Sequence, residues 1–354
     1  MIAPILEGVG RQTMRGAVRM PKMLARRLYG SPPENDRGVA LDEQVHVFLN
    51  LMEASGQGGI HELELAEARK VYRMSCRVFD RPGPKLESVT DHAISGPHGD
   101  IPARVYQPKS ARGGDNLPAL VYFHGGGFVI GCVDSYDGLC RTIAERTASV
   151  VISVDYRLAP EHCFPAPVDE CVAAYRWAEQ NADTLGIDPK RIAVGGDSAG
   201  GNLAAVTCQQ LVRDGESLPA RQLLIYPSTD NRGGYPSREH FNDGFFLTGE
   251  MMHWFSSSYL DGRKDLNDDP RVSPILFDEL GKMPPALLVS AGFDPLRDEG
   301  ETYAERLAEA GVETTVRSFD RLIHGFVTMG GLFDAAEQAV VDICDDFRLA
   351  MRKR

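Results

Sequence analysis

At 354 residues, 43% hydrophobic and 25% charged, the chain has the composition of a soluble globular protein that can bury its core without disulfide or metal support. A formal net charge of −12 at pH 7 argues against nucleic acid or another polyanion as its main partner. Seven cysteines, an odd number without a CxxC pair, point to a reducing, cytoplasmic setting rather than to a disulfide framework.

The chain opens on a basic stretch. No acidic residue stands between Glu7 and Glu34, whereas Arg11, Arg15, Arg19, Lys22, Arg26 and Arg27 recur and interrupt any apolar run that a secretory signal would need. The pattern predicts a basic helical arm packed on an acidic body, with a membrane-surface helix as its rival. No run approaches a membrane span, so stable insertion into a bilayer is not expected.

Residues 39–80 carry helical spacing. DEQVHVFLNLMEASG sets Val45, Phe48, Leu49 and Met52 three and four residues apart and stops at Gly56, and ELELAEARKVYRMSCRVF repeats the pattern. DRPGPKLES then breaks the chain. The expected division is a helical cap segment over 1–84 and a second domain over 85–354.

Beyond that break the period changes. ESVTDHAIS, IPARVYQP, PALVYFH, SVVISVDY, RIAVGG, RQLLIYP, PALLVSAG and ETTVRSF are short runs of strand character, about eight in all. Helical stretches such as PVDECVAAYRWAEQNA, GGNLAAVTCQQLVRDG and DEGETYAERLAEAG separate several of them. Such alternation predicts an α/β fold of right-handed βαβ units on a mostly parallel sheet. Residues 230–277 hold no good strand; REHFNDGFFLTGEMMHWFSSSYLDG reads as an aromatic and methionine-rich helical insertion. Two helical regions outside one sheet are expected to meet as a cap.

GDSAG at 196–200 lies between the strand RIAVGGD and the helix GGNLAAVTCQQL, the strand-to-helix context of a nucleophile elbow. Glycines at 196 and 200 permit a tight turn, and the helix N-terminus favours an oxyanion at Ser198. A phosphate loop is the rival, but Asn202 stands where its lysine should be. A serine nucleophile needs a base and an orienting carboxylate, which follow in the order Ser, Asp or Glu, His. Asp294 in SAGFDPLRDEG and His324 in SFDRLIHGF each come just after an apolar strand, on the side of an α/β sheet where sites are built. His240 and His253 fall in the insertion and precede the Asp294 strand, so His324 is the better base. FHGGGF at 123–128 supplies unobstructed backbone N–H groups; the expected oxyanion donors are those of Gly126, Gly127 and Ala199. No HExxH occurs, and PEH at 160–162 lacks a second histidine at ligand spacing, so Glu161 and His162 read as structural and neither a metal nor a cofactor is called for.

These motifs together resemble the hormone-sensitive-lipase-like carboxylesterases: HGGGF at 124–128, VDYRLAPEHCFPAP at 154–167, GDSAGGN at 196–202, DPLRDEG at 294–300 and HGF at 324–326. The resemblance spans roughly residues 85–350. It implies an α/β-hydrolase core of eight strands flanked by helices, with a cap built from the N-terminus and the segment near 230–277. It also implies a triad of Ser198, Asp294 and His324, with His124, Gly125, Asp197 and Asp298 in support. The implied function is hydrolysis of short- to medium-chain esters through an acyl-enzyme, on a small-molecule substrate. A homodimer through the far-edge strand is compatible with the resemblance. Residues 1–38 extend beyond the family's usual start. Amide or carbamate hydrolysis by the same triad is the alternative. A non-catalytic small-ligand receptor like the gibberellin receptors is less favoured, because those have lost the histidine present here as His324.

Overall fold

The computed structural model describes residues 2–56, 58–109 and 116–352, and side chains from residue 10 onward; the outer ends of the expected divisions, at 1 and 354, lie outside these. The eight strand-like runs become β1 (Ser88–Gly96), β2 (Gly99–Gln107), β3 (Leu117–Phe123), β4 (Val150–Val154), β5 (Ile187–Asp197), β6 (Gln222–Ile225), β7 (Ala286–Phe293) and β8 (Thr314–Ile323). They form a single sheet in the order β1-β2-β4-β3-β5-β6-β7-β8. β1 and β2 pair antiparallel and β2 meets β4 antiparallel, while β4, β3, β5, β6, β7 and β8 run parallel. The central strands are covered on both faces, which is why they read as continuous apolar runs. The edge strands β1 and β8 are exposed or part-buried over most of their length.

Alternation along β3 divides the core. Val121 and Phe123 face one side, against Val168 and Cys171 of the helix Ala166–Gln180, Leu203 and Val206 of Ala199–Asp214, and Leu307 of Arg297–Glu309. Leu120 and Tyr122 face the other, against Leu139 and Ile143 of the helix Asp137–Thr147 and Ile343 and Phe347 of Asp334–Ala350. Neither helix of this second face was anticipated from the pattern, although Ala336, Ala339, Val340, Ile343 and Phe347 keep helical spacing and are buried.

The chain before β1 folds into the helices Ile2–Val18, Lys22–Tyr29, Glu43–Ala54 and Leu65–Phe79. Residues 39–42 are not helical as the spacing led one to expect, because Asp42 is the N-cap: its carboxylate accepts from the backbone of Gln44 and Val45. Val45 and Phe48 are buried, whereas Met52 is exposed, so the expected apolar stripe is only partly turned inward. The basic arm is paired along much of its length. Arg15 and Arg19 meet Asp334, Arg26 meets Glu43, and Arg11 donates to the carbonyls of Arg77 and Val78. Between β6 and β7 lie the helices Pro236–His240 and Gly249–Tyr259 and single 3₁₀ turns at Lys264–Asp268 and Pro274–Leu276, with no strand of the sheet among the described residues.

Candidate active site

β5 ends at Asp197 and the next helix begins at Ala199, leaving Ser198 alone at the turn with φ 56° and ψ −119°. A non-glycine residue at positive φ is strained, and close packing around it holds the strain. A Cβ at Gly200 would lie 1.9 Å from the carbonyl oxygen of Phe123, and one at Gly196 would lie 2.3 Å from it. Both positions therefore demand glycine. The Ser198 N–H is anchored to the carbonyl of Ile225 at 2.8 Å.

The parallel strands β7 and β8 bring the next two groups to the same end of the sheet. Asp294 follows β7 directly and is fully buried; one carboxylate oxygen accepts the N–H of Leu296 at 2.8 Å and the other lies 2.7 Å from His324 Nδ1. His324 follows β8 directly, and its Nε2 lies 2.9 Å from Ser198 Oγ. With Nδ1–H donated to a carboxylate, Nε2 carries the lone pair that faces the serine hydroxyl. The Ser198, His324 and Asp294 expected from motif order thus form one unbroken hydrogen-bonded line. His240 and His253 stand apart: His240 faces Asp36 at 3.8 Å, and His253 is exposed on the helix Gly249–Tyr259.

The glycine loop is held from beneath. Gly126 and Gly127 adopt φ 110° and 59°, and the Gly126 carbonyl accepts the N–H groups of Val129 and Ile130. Gly125 donates its N–H to Asp197 Oδ1 at 2.8 Å, so that amide is committed. Gly126, Gly127 and Ala199 line the same cavity as Ser198 and His324. Asp197 also accepts the hydroxyls of Tyr122 at 2.8 Å and Tyr136 at 3.1 Å, and Tyr136 meets the Tyr72 hydroxyl at 2.8 Å. Burial raises the Asp197 carboxyl, while these donors favour its ionised form. His124 is buried between the rings of Tyr136 and Tyr156 and donates Nδ1–H to the Gly125 carbonyl at 2.7 Å. Burial lowers its pKa and keeps it neutral.

The remaining expected support residue, Asp298, makes no hydrogen bond to Asp294 or His324; it accepts the Ser237 N–H at 2.9 Å and Arg297 Nε at 2.7 Å. Its neighbours in the DPLRDEG stretch tie distant chain to the site, a role without a local signal. Arg297, buried, grips Asp36 through two bonds of 2.6 and 2.8 Å and also donates to the carbonyl of Gly292. The buried Glu299 accepts from Arg238 and from the backbone of Thr229 and Asp230. Asn35 donates to Gly292 and Asp320 carbonyls, and Asp42 N–H to that of Arg321. Residues 35–42 therefore buttress the two loops that carry Asp294 and His324. Glu161 pairs with Arg69, whose guanidinium also donates to the carbonyls of Val129 and Ala159, in keeping with a structural part.

Above Ser198 opens a cavity of about 1110 Å³. Its walls come from the helices Glu43–Ala54 and Leu65–Phe79 on one side and from residues 243–256 on the other. The two sides touch where His61 Nε2 stands 3.3 Å from Glu250. The ring of Phe255 covers Gly127 so closely that a Cβ there would lie 2.1 Å from it.

Comparison with known proteins agrees with this geometry. A family model described as the α/β hydrolase fold matches residues 120–328. The chain is 43% identical over 300 residues to the carboxylic ester hydrolase LipN of Mycobacterium tuberculosis, across 82% of this chain and 78% of that one. It is 34% identical over 313 residues to the ethyl acetate hydrolase of Pseudomonas putida, across 87% of this chain and 98% of the other. Among solved structures, an ester hydrolase from the metagenome of Lake Arreo, complexed with a derivative of bipyridine phosphonate, superposes with a TM-score of 0.84 at 41% identity, covering 87% of this chain and 98% of its own. Among the described residues no helix is long and apolar enough to cross a membrane, and all seven cysteines are free thiols.

Proposed function

Since the chain belongs to the hormone-sensitive-lipase-like carboxylesterases of the α/β-hydrolase fold, we propose that Ser198 is the nucleophile of its ester hydrolysis, His324 the general base and acid, and Asp294 the orienting carboxylate. The observation that carries this reading is the continuous line from Ser198 Oγ through His324 to Asp294, at 2.9 and 2.7 Å, at the floor of the cavity. His324 takes the Ser198 proton as the oxygen attacks the ester carbonyl, and Asp294 stabilises the imidazolium that forms. The N–H groups of Gly126, Gly127 and Ala199 receive the oxyanion, each donor worth about 3–4 kcal/mol. The tetrahedral intermediate collapses with proton transfer from His324 to the departing alcohol. Water then attacks the acyl-enzyme by the reverse proton route and frees Ser198.

The substrate we assign is a short- to medium-chain ester. Helical segments from both 1–84 and 230–277 wall the cavity, which supports reading them as two halves of one cap over a catalytic domain at 85–354. A capped pocket of this volume accommodates a small molecule and offers no open groove for a long-chain triglyceride. Measuring kcat/KM on p-nitrophenyl esters from acetate to palmitate tests the assignment. A maximum among the shorter chains is expected, and a maximum at palmitate would overturn it.

A further inference from the structure

Most of the large apolar side chains left in water lie in the first part of the chain. Among the described residues Met23, Leu24, Leu28, Met52, Leu63, Val71 and Met74 are exposed, against only Leu218, Val316 and Leu349 in all that follows. The helix Lys22–Tyr29 is the extreme case. A surface helix ordinarily turns its apolar stripe inward, but here Ala25 is the one buried residue. Met23, Leu24, Arg27 and Leu28 share an arc of about 140° whose centre lies about 130° around the helix from Ala25. Met23 is 86% exposed and Leu28 57%.

The charges of this helix divide in the same way. Arg26 is neutralised by Glu43, whereas Lys22 and Arg27 have no carboxylate partner among the described residues. The helix packs against Glu43–Ala54, whose Met52 lines the catalytic cavity while remaining exposed. Leu63 and Val71 do the same from the next segments, giving the cavity an apolar rim one helix away.

We propose that the helix Lys22–Tyr29 docks the protein on an anionic lipid surface, with Met23, Leu24 and Leu28 in the headgroup–acyl boundary and Lys22 and Arg27 on the phosphates. Charge complementarity selects this occupant: a chain of net charge −12 is repelled as a whole by an anionic surface, so attraction rests on cations left without a carboxylate, and Lys22 and Arg27 stand on the same short helix as the exposed Met23, Leu24 and Leu28. Three aliphatic residues and two cations give peripheral, reversible and salt-sensitive binding. Docking stands on the surface alone; that it presents lipid-dissolved esters to the cavity rim rests on the ester-hydrolase reading above.

The test is flotation of the full-length protein with phosphatidylcholine vesicles, with and without phosphatidylglycerol, at low and high salt. M23S/L24S/L28S and K22E/R27E variants run alongside, and turnover of p-nitrophenyl butyrate without vesicles reports separately on the fold and the catalytic site. The wild type is expected to float only with the anionic vesicles and to be released by salt. Each variant should lower the bound fraction about tenfold or more with soluble turnover unchanged. A wild type that ignores anionic vesicles, or variants that float as well as it does, would overturn the proposal. So would a salt-sensitive dimer abolished by both variants in place of flotation, which would give the face to a second copy of the chain. Flotation reads docking whether or not the ester is turned over, so the two readings fail separately.

Discussion

Asp197 Oδ1 accepts the backbone N–H of Gly125 at 2.8 Å. This single bond ties the residue before Ser198 to the loop that presents the Gly126 and Gly127 amides, so the serine and those amides share one brace. Asp197→Ala removes the acceptor for Gly125 and for the Tyr122 and Tyr136 hydroxyls at once, leaving buried donors unpaired. Steady-state kinetics should show a loss of about a hundredfold in kcat with KM little changed. Asp197→Asn should stay within about tenfold, because its oxygen can serve Gly125 and Tyr122 while its amide faces Tyr136, whose hydroxyl can turn toward Tyr72. Equal losses in the two variants would show that the brace does not act through these bonds.

At Gly127 two costs fall on any side chain. Its φ of 59° is left-handed, which costs an alanine about 1–2 kcal/mol, and the new methyl would meet the Phe255 ring at 2.1 Å. Gly127→Ala is expected to displace the loop and lower kcat by about a hundredfold. Adding Phe255→Ala should return part of the activity by removing the clash but not the backbone cost. A double variant no better than the single one would mean that Phe255 is not what the methyl strikes.

The pair formed by Asp36 and Arg297 joins the N-terminal arm to the loop of Asp294. Arg297 is almost wholly buried, so Asp36→Ala leaves its guanidinium with Asp298 as the one remaining carboxylate. Because Asp36 itself is partly exposed, the expected destabilisation is about 2 kcal/mol, below the full cost of breaking a buried pair. Chemical denaturation measures it, and an unchanged midpoint would contradict the buttressing part given to residues 35–42.

Asp80 is a half-buried residue whose Oδ2 is sealed from solvent and accepts no hydrogen bond. Burial pushes its carboxyl up to about 7, well above the value near 4 of an unfolded chain. Between those two values the folded state holds a proton that the unfolded state has released, so stability is lost as pH rises through the window, by up to about 4 kcal/mol in all. Asp80→Asn has no proton to lose. Its stability relative to wild type should therefore rise from pH 4 to pH 8 and level off above. Parallel pH–stability curves for the two proteins would contradict the buried charge.

Much of this was legible in the sequence. The eight strands announce themselves because central strands must be apolar along their length, and the hydrogen-bonded line of Ser198, His324 and Asp294 because parallel strands deliver the three residues to one end of the sheet. What escaped depends on contacts between residues far apart in the chain. Nothing near GDSAG says that Tyr122 and Tyr136 will grip Asp197, or that Asp36 will cross to Arg297. Asp298 sits in the expected motif but serves Ser237 and Arg297 instead of Asp294 or His324. The helix Asp334–Ala350 did carry a readable spacing. So did Asp137–Thr147, whose Leu139, Cys140, Ile143, Ala144 and Thr147 share one buried face opposite its charges. Met52 keeps step with Val45 and Phe48, yet it faces the cavity rather than the core; periodicity locates a face but not what lies opposite it.

The central claim is that Ser198 carries the acyl group. Acid quench during turnover of p-nitrophenyl butyrate, followed by peptide mass mapping, reads it directly. A butyryl adduct on the peptide containing Ser198 is expected in the wild type. Ser198→Ala should carry no adduct and should lose turnover by about five to six orders of magnitude. An adduct on another residue, or a Ser198→Ala enzyme that still turns over the ester near the wild-type rate, would contradict it.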